Sequence, residues 1–196
     1  LSDMVMYDRQ TETWWQQATG IGIVGDRTGT KLEFVPSQLI GLDQIAAAYP
    51  DGQVLSRDTG FRRDYGRNPY VGYDVIDQQP FLFRGVTDGR LSPKERVVTL
   101  GEADSEAPVS VPYSELRVDG VANLEFEARP VVVFWEPGAV SALDELYIDE
   151  SEDVGGTGVF SAVVDGETLT FTRDGSDAPI TDTQTGSSWD VTGRAL

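Results

Sequence analysis

The sequence predicts a mainly β fold with minor α content, a β-rich α+β protein in which two diverged repeat units pack as one globular unit. Short segments rich in Val, Ile and aromatic residues alternate with turns that contain Gly and Asp, a pattern typical of antiparallel sheets. Only residues 42–49 carry a clear helix pattern, which ends before Pro50. A motif near the start of the chain also recurs near its end.

The remaining elements follow from local patterns. Residues 14–20 are turn-like, and short helical turns are expected near Ser114 and Ala142. A hairpin is expected around Asp165-Gly166, a dipeptide that favours a two-residue turn. Alternation and β-branched content predict strands at residues 4–8, 21–25, 31–35, 54–55, 97–100, 109–111, 121–126, 131–135, 159–164 and 169–172.

The recurring motif matches residues at a constant offset. Its first copy comprises Ser2-Asp3, Asp8, Gln10-Thr11 and Trp15, and its second copy comprises Ser176-Asp177, Asp182, Gln184-Thr185 and Trp189. A shared Trp at matching spacing favours an internal duplication. We interpret both aspartates, Asp8 and Asp182, as buried carboxylates that bind the backbone of a turn. The two tryptophans are then matching core residues, or alternatively a pair that faces a ligand.

The chain is strongly acidic, with 33 acidic residues, 15 basic residues and a net charge of −18. Only two of the basic residues are Lys, and the chain has no Cys. Such a composition is typical of proteins that work in concentrated salt, where the Debye length is about 3 Å at 1 M and like charges repel little. We therefore expect a halophilic, archaeal source; the alternative is an ordinary acidic secreted protein.

The charge is distributed unevenly between two predicted regions. Residues 1–96 comprise the end of repeat one and an Arg/Tyr-rich segment at 56–96, whereas residues 97–196 comprise the front of repeat two. Residues 1–100 have a net charge of −2, whereas residues 101–196 have a net charge of −16. Because nucleic-acid binding needs a basic surface, we expect no nucleic-acid partner.

The absence of His and Cys from the sequence removes whole classes of chemistry. Thiolate and imidazole metal sites, cysteine nucleophiles and Ser-His-Asp catalysis all need residues that this chain lacks. We predict no catalytic residue, no metal site and no cofactor, and we favour a role other than that of an enzyme. No apolar run approaches the roughly 18 residues of a membrane span.

The strongest candidate for a ligand site lies in the Arg/Tyr-rich segment. Four arginines fall within eleven residues and alternate with tyrosines, and Arg forks bind carboxylate or phosphate groups in bidentate fashion. In the alternative interpretation the arginines pair with nearby aspartates and attach a long loop to the core. The candidate ligand-binding residues are Arg57, Asp58, Arg62, Arg63, Tyr65, Arg67, Asn68, Tyr70, Tyr73 and Asp74.

Several long motifs resemble a prokaryotic family described as domain of unknown function 3179. They are residues 7–17 (YDRQTETWWQQ), 55–60 (LSRDTG) and 65–74 (YGRNPYVGYD), continued in order by 80–84, 130–135, 156–160 and 186–189. The resemblance implies two diverged copies of one unit, usually secreted or attached to the cell envelope. This chain resembles the central part of that architecture.

The resemblance also implies a Cys-Pro-x-Cys element upstream of the segment that matches Leu1. In the second copy the corresponding place reads Phe134-Trp-Glu-Pro-Gly138, without Cys, so no thiol site is carried over. We therefore expect a non-catalytic extracellular or cell-envelope module of a halophilic prokaryote, which binds a ligand or partner or self-assembles with copies of itself or another envelope protein. The alternative is an enzyme or small-anion-binding protein that uses residues 57–74.

Overall fold

The computed structural model describes residues 4–102, 105, 107–175 and 178–196. Within them, thirteen short strands form five small sheets alongside two α-helices, which confirms the predicted β-rich α+β class. The strands are β1 Val5–Tyr7, β2 Trp14–Gln16, β3 Gly22–Val24, β4 Val97–Leu100, β5 Val109–Pro112, β6 Val121–Phe126, β7 Arg129–Glu136, β8 Gly156–Ser161, β9 Val163–Val164, β10 Glu167–Thr168, β11 Phe171–Thr172, β12 Ile180–Asp182 and β13 Ser188–Trp189. The helices are α1 Leu42–Ala48 and α2 Tyr113–Asp119, with a 3-10 turn at Ile148–Glu150.

One compact unit comprises Leu1–Ser37 and Ile76–Val111. Its main sheet has the order β1-β2-β3, and β4 and β5 form a second, two-stranded sheet. Successive side chains of a strand point to opposite faces. Met6 lies opposite the buried Trp15 on one face, while the exposed pair Tyr7 and Trp14 lies on the other. This sheet therefore has one buried face and one exposed aromatic face.

A second compact unit comprises Gln38–Val75 and Pro112–Leu196. Its central antiparallel sheet has the order β6-β7-β8, with Val121 opposite Phe134 and Phe134 opposite Gly158. The run Val132–Trp135 in β7 is buried at every position, so both faces of this strand are covered. A short continuous apolar run is the pattern expected of such a strand.

Aromatic rings join the central sheet to the sheet β11-β12-β13. Phe134 contacts Phe160 and Phe171 with ring centroids 5.4 and 5.1 Å apart, and Phe171 meets Trp189 edge-on at 5.4 Å. These residues belong to one cluster whose buried members are Val132, Phe134, Ala162, Leu169, Phe171, Ile180 and Val191. Burial of one such large side chain contributes about 1.5–3 kcal/mol, so this cluster is the main source of stability in the unit.

Residues at the ends of both helices account for where each helix starts or stops. The Gly41 backbone N–H donates to the side chain of Gln44 at 2.7 Å at the start of α1, and Pro50 follows its end. Helix α2 ends at Gly120, whose φ of 72° lies in the left-handed region that favours glycine. The side chain of Leu116 fixes α2 to the core, since it is fully buried.

The predicted elements are mostly confirmed, including the helix at 42–49, a helix near Ser114 and the turn at Asp165-Gly166, which joins β9 to β10. Four local predictions are wrong. Residues 14–20 contain β2, and residues 31–35 contribute only the isolated bridge of Lys31 with Ile21. Residues 54–55 form no strand, and the helical turn expected near Ala142 lies at 148–150. Short strands beside turns carry too few residues for alternation to show.

The structure does not test two of the other predictions. The division at residues 96 and 97 stays a prediction, and the Ser2-Asp3 and Ser176-Asp177 part of the repeated motif lies outside the described residues.

Across the part of the chain that the structure describes, neither helix has the length and apolar content that crossing a bilayer demands.

Candidate functional site

The rear part of the Arg/Tyr segment, residues 66–74, is attached to residues 141–148. Asn68 is only 1% exposed, and its backbone N–H donates to the Leu146 carbonyl at 2.9 Å. Its side-chain amide donates to the Glu145 carbonyl at 3.1 Å and accepts from the Tyr70 N–H at 2.8 Å. A buried amide with all these partners holds this segment in place.

Further bonds continue this attachment along the backbone. The Ile148 N–H donates to the Gly66 carbonyl at 3.0 Å, and the Gly72 N–H donates to the Asp144 carbonyl at 2.8 Å. The carboxylate of Asp74 accepts a hydrogen bond from the hydroxyl of the buried Ser141. Two candidate site residues, Asn68 and Asp74, thus have a structural role within this unit.

The front part of the segment, residues 54–65, is exposed throughout, and we call it the exposed loop. Arg57, Arg62 and Arg63 all lie on its surface. Within the described residues, none of their three guanidinium groups takes part in an ion pair or hydrogen bond. These three cations are therefore available to an external anion or acidic surface.

The remaining charged and aromatic candidates pair locally. Arg67 lies 3.3 Å from Asp64, and both side chains are more than half exposed, so the pair contributes only about 0–1 kcal/mol. The hydroxyl of Tyr65 is 2.6 Å from that of Thr59. The Asp58 N–H binds the hydroxyl of Ser56 at 3.0 Å, as in a local turn.

Apolar side chains accompany the three arginines. Leu55 is 91% exposed and Phe61 is 69% exposed, and Val54 is also largely exposed. In the rear part, the rings of Tyr70 and Tyr73 meet edge-on at 6.4 Å. Exposed apolar groups beside Arg are the composition of a protein–protein contact.

The structure places the candidate residues in two groups. Arg57, Arg62 and Arg63 project from the exposed loop, whereas Asn68 and Asp74 are engaged in the attachment; whether the ten candidates bind a ligand stays a prediction. Sequence reasoning overlooked Leu55 and Phe61. Leu55 was assigned to a strand at 54–55 that the structure does not form, and Phe61 was visible as a large apolar residue among charged ones.

The acidic residues near Gly155 serve mainly as hydrogen-bond acceptors. Asp153 accepts from the N–H groups of Gly138 and Gly155 at 2.7 and 2.8 Å, and Asp144 accepts from the Glu152 N–H at 2.9 Å. Among the residues that the structure describes, no group of three or more carboxylates has a geometry suited to a metal ion.

The repeated motif forms two turns with the same hydrogen bonds, which we call the Asp–Thr–Trp turns. In the first, the Asp8 carboxylate accepts from the Thr11 N–H at 2.6 Å, the Thr11 hydroxyl at 2.7 Å and the Trp15 indole N–H at 2.7 Å. In the second, the corresponding distances from Asp182 are 2.5, 2.7 and 3.0 Å. The predicted backbone-binding role of both aspartates is confirmed. Asp182 is buried as predicted, whereas Asp8 is only half-buried.

These bonds stabilise the ionised carboxylates. The hydrogen bond from the Thr11 backbone, followed by those from its hydroxyl and from Trp15, lowers the pKa of Asp8 to about 2. Burial by itself raises the pKa of Asp182, but the hydrogen bonds from Thr185 and Trp189 outweigh burial and lower this pKa to about 2. Origin of the turns by duplication stays a prediction.

Comparison with family models identifies the chain. The family described as "Protein of unknown function (DUF3179)" matches residues 1–196, so the chain belongs to this family, as its motifs indicated. Comparisons with curated proteins and with solved structures found no match.

Proposed function

We propose that this member of the DUF3179 family is a non-catalytic binding and assembly module of the extracellular or cell-envelope type. Its exposed loop contacts an acidic surface on a second copy of the chain. The observation that supports this proposal is the combination, in one exposed loop, of Leu55 and Phe61 with three Arg side chains that have no partner among the described residues.

Charge complementarity favours a second copy as the partner. The half of the chain after residue 100 has a net charge of −16. Five exposed acidic residues form what we call the acidic surface: Glu145, Asp149, Glu150, Glu152 and Asp153. Arg pairs with carboxylates in bidentate fashion, which gives such a contact a defined geometry as well as attraction.

The apolar side chains supply affinity that salt does not remove. In about 1 M salt the Debye length is about 3 Å, so exposed charges attract each other only at contact. Burial of Leu55 and Phe61 remains favourable there, since hydrophobic contacts are not screened. Aromatic residues and Arg are enriched at the centres of protein–protein contacts, which fits Phe61 beside the three arginines.

The contact joins two different surfaces, so its symmetry is head-to-tail. Such heterologous contacts extend into rings or chains rather than stopping at a symmetric dimer. Assembly of this kind is consistent with a role in the cell envelope, and it requires no catalytic residue.

Sedimentation velocity at about 1 M salt tests the proposal. The wild-type protein is expected to sediment increasingly fast as its concentration rises. The variant R57Q/R62Q/R63Q is expected to lose this dependence, with an association at least about tenfold weaker. The control R9Q/R84Q/R129Q removes the same charge from exposed arginines elsewhere and is expected to assemble like the wild type.

A second variant separates the apolar contribution from the charge. The substitution Phe61→Ser is expected to weaken assembly more as the salt concentration rises, because apolar burial then carries most of the affinity. A wild-type protein that stays a sharp monomer at every concentration contradicts the proposal. Equal loss of assembly in the loop variant and in the control variant also contradicts it.

A further inference from the structure

We propose that the exposed face of the sheet β1-β2-β3 binds a neutral saccharide, whose sugar rings stack on Tyr7 and Trp14. The ligand class is a β-linked chain of glucose-type rings. This face lies in a different unit from the exposed loop, and the inference does not depend on the proposed function. We call it the aromatic face, and its members are Val5, Tyr7, Trp14, Gln16 and Val24.

Tyr7 and Trp14 lie side by side on the aromatic face, directly opposite each other in the pairing of β1 with β2. Because the Asp8 N–H bonds to the Thr13 carbonyl, the next pair along the two strands exchanges no backbone hydrogen bonds. Tyr7 and Trp14 therefore form the closer type of pair, with Cα atoms about 4.5 Å apart. Tyr7 is 54% exposed and Trp14 is 51% exposed, so two large side chains are presented together to the solvent.

The second sheet shows that the fold does not require these two aromatic residues. In its strands β12 and β13 the corresponding pair is Thr181 and Ser188. Both sheets nevertheless form the same Asp–Thr–Trp turn. Small polar residues are therefore sufficient at these positions, and the rings of Tyr7 and Trp14 serve a purpose other than folding.

The corresponding face of the second sheet is turned away from the hydrophobic core. Ile180 and Trp189 pack in the core cluster. Thr181 and Ser188 alternate with them along the strands and so lie on the opposite face. Strand β11 widens this sheet without covering that face, because Thr172, which lies opposite Thr181, is exposed. By this correspondence the aromatic face is an outer surface of its sheet.

The polar groups of the aromatic face are available to a ligand. Within the described residues, neither the Tyr7 hydroxyl nor the Trp14 indole N–H has a hydrogen-bond partner. Gln16 lies two residues beyond Trp14 on the same face, and its side-chain carbonyl accepts from the hydroxyl of Thr19. The amide N–H groups of the Gln16 side chain have no partner in the part of the chain that the structure describes.

This combination of groups suits a neutral sugar. None of the five members of the aromatic face is charged, so the face has no group that would select an ion. An aromatic ring covers the apolar C–H face of a sugar ring, while hydroxyl, indole and amide groups bond to the sugar hydroxyls around it. In β-linked glucose-type rings the hydroxyls point outward from the rim, which leaves the ring faces free to stack.

The size of the aromatic face favours a short saccharide over a protein. Strands of a sheet lie about 4.8 Å apart and rise about 3.4 Å per residue, so the face spans about 10 by 7 Å between its outer Cα atoms. A stable protein–protein contact needs about 800 Å² from each partner, several times more than such a face offers. A short run of sugar rings matches its dimensions.

The indole N–H signals of the four tryptophans provide the test. Three of these groups bond inside the protein, namely those of Trp15, Trp135 and Trp189. In a proton–nitrogen correlation spectrum of the full chain, millimolar cellotetraose is expected to shift the Trp14 signal and to leave the other three in place. Sorbitol, which has similar hydroxyls without a ring face, is expected to shift none of them.

Variants that carry the residues of the second sheet supply a second arm. The variant Y7T/W14S is expected to bind cellotetraose at least about tenfold more weakly, as measured by isothermal titration. The Trp15 signal reports whether the Asp–Thr–Trp turn of this variant is intact. The matched control Tyr147→Thr removes a ring that is 50% exposed in the other unit, and it should bind like the wild type.

Three results would overturn the proposal. The first is an unchanged Trp14 signal in millimolar cellotetraose, or an equal shift in sorbitol. The second is unchanged binding by Y7T/W14S, which would place the sugar elsewhere on the protein. The third is a Trp14 signal that shifts with protein concentration in the absence of sugar, because a second copy of the chain would then cover the face.

Discussion

The two parts of the Arg/Tyr segment are adjacent in sequence and differ in almost every physical respect. In the rear part, Asn68 is buried and Asp74 binds Ser141, so these polar side chains hold the chain in place. In the exposed loop, Arg62 and Arg63 have no partner among the described residues. A cluster of Arg, Tyr and Asp therefore need not act as one site. Stability and binding should therefore separate between its two parts.

The largest expected effect on stability is at Asn68. The substitution Asn68→Ala removes two side-chain hydrogen bonds and leaves the Glu145 carbonyl and the Tyr70 N–H without their partner. We expect a loss of about 2–4 kcal/mol in the free energy of unfolding. Denaturant unfolding in concentrated salt measures this loss. The matched control Arg62→Ala, in the exposed loop, should stay within about 0.5 kcal/mol of the wild type.

The two Asp–Thr–Trp turns extend the comparison of buried and exposed polar groups. Asp182→Asn is expected to destabilise the protein more than Asp8→Asn, because Asp182 is buried and Asp8 is only half-buried. Thermal unfolding of both variants in one buffer checks the order. Equal losses would show that burial does not distinguish the two turns.

The same carboxylates predict a pH dependence. The pKa of both Asp8 and Asp182 is about 2 in the folded protein, below the ordinary value of 3.8. Their contribution to stability is therefore fully present above about pH 4 and is lost as the pH falls through about 2. Unfolding measured across this range should show a smaller pH dependence in the double variant D8N/D182N. An unchanged pH dependence would exclude these two groups as its cause.

Much of the fold was predictable, because long elements carry clear periodicity. The helix at 42–49 and the apolar strand β7 are examples, as is the turn at Asp165-Gly166. Strand β2 was missed, since its three residues lie between turn residues and hold no repeating pattern. Strand pairing between segments distant in sequence, such as β7 with β8, depends on the core and is not encoded locally.

The residue types of the candidate site could be predicted from the sequence, but its division into an exposed loop and an attached rear part could not. The sequence shows four arginines within eleven residues, but only the folded structure shows that Arg67 pairs with Asp64 while the other three have no partner among the described residues. The hydrogen bond between the indole and the carboxylate of each Asp–Thr–Trp turn could have been predicted from the sequence. The interval of seven residues between Asp8 and Trp15 recurs between Asp182 and Trp189.

Complementary charge reversal tests whether the exposed loop contacts the acidic surface of another copy. One variant, R57E/R62E/R63E, reverses the loop, and the other, E145K/D149K/E150K, reverses the acidic surface. Each variant alone is expected to sediment as a monomer, because its two contacting surfaces carry charge of the same sign. Mixed in equal amounts, they are expected to associate, since each loop then meets a surface of opposite charge. A mixture that stays monomeric, although each variant folds and the wild type assembles, would contradict the account.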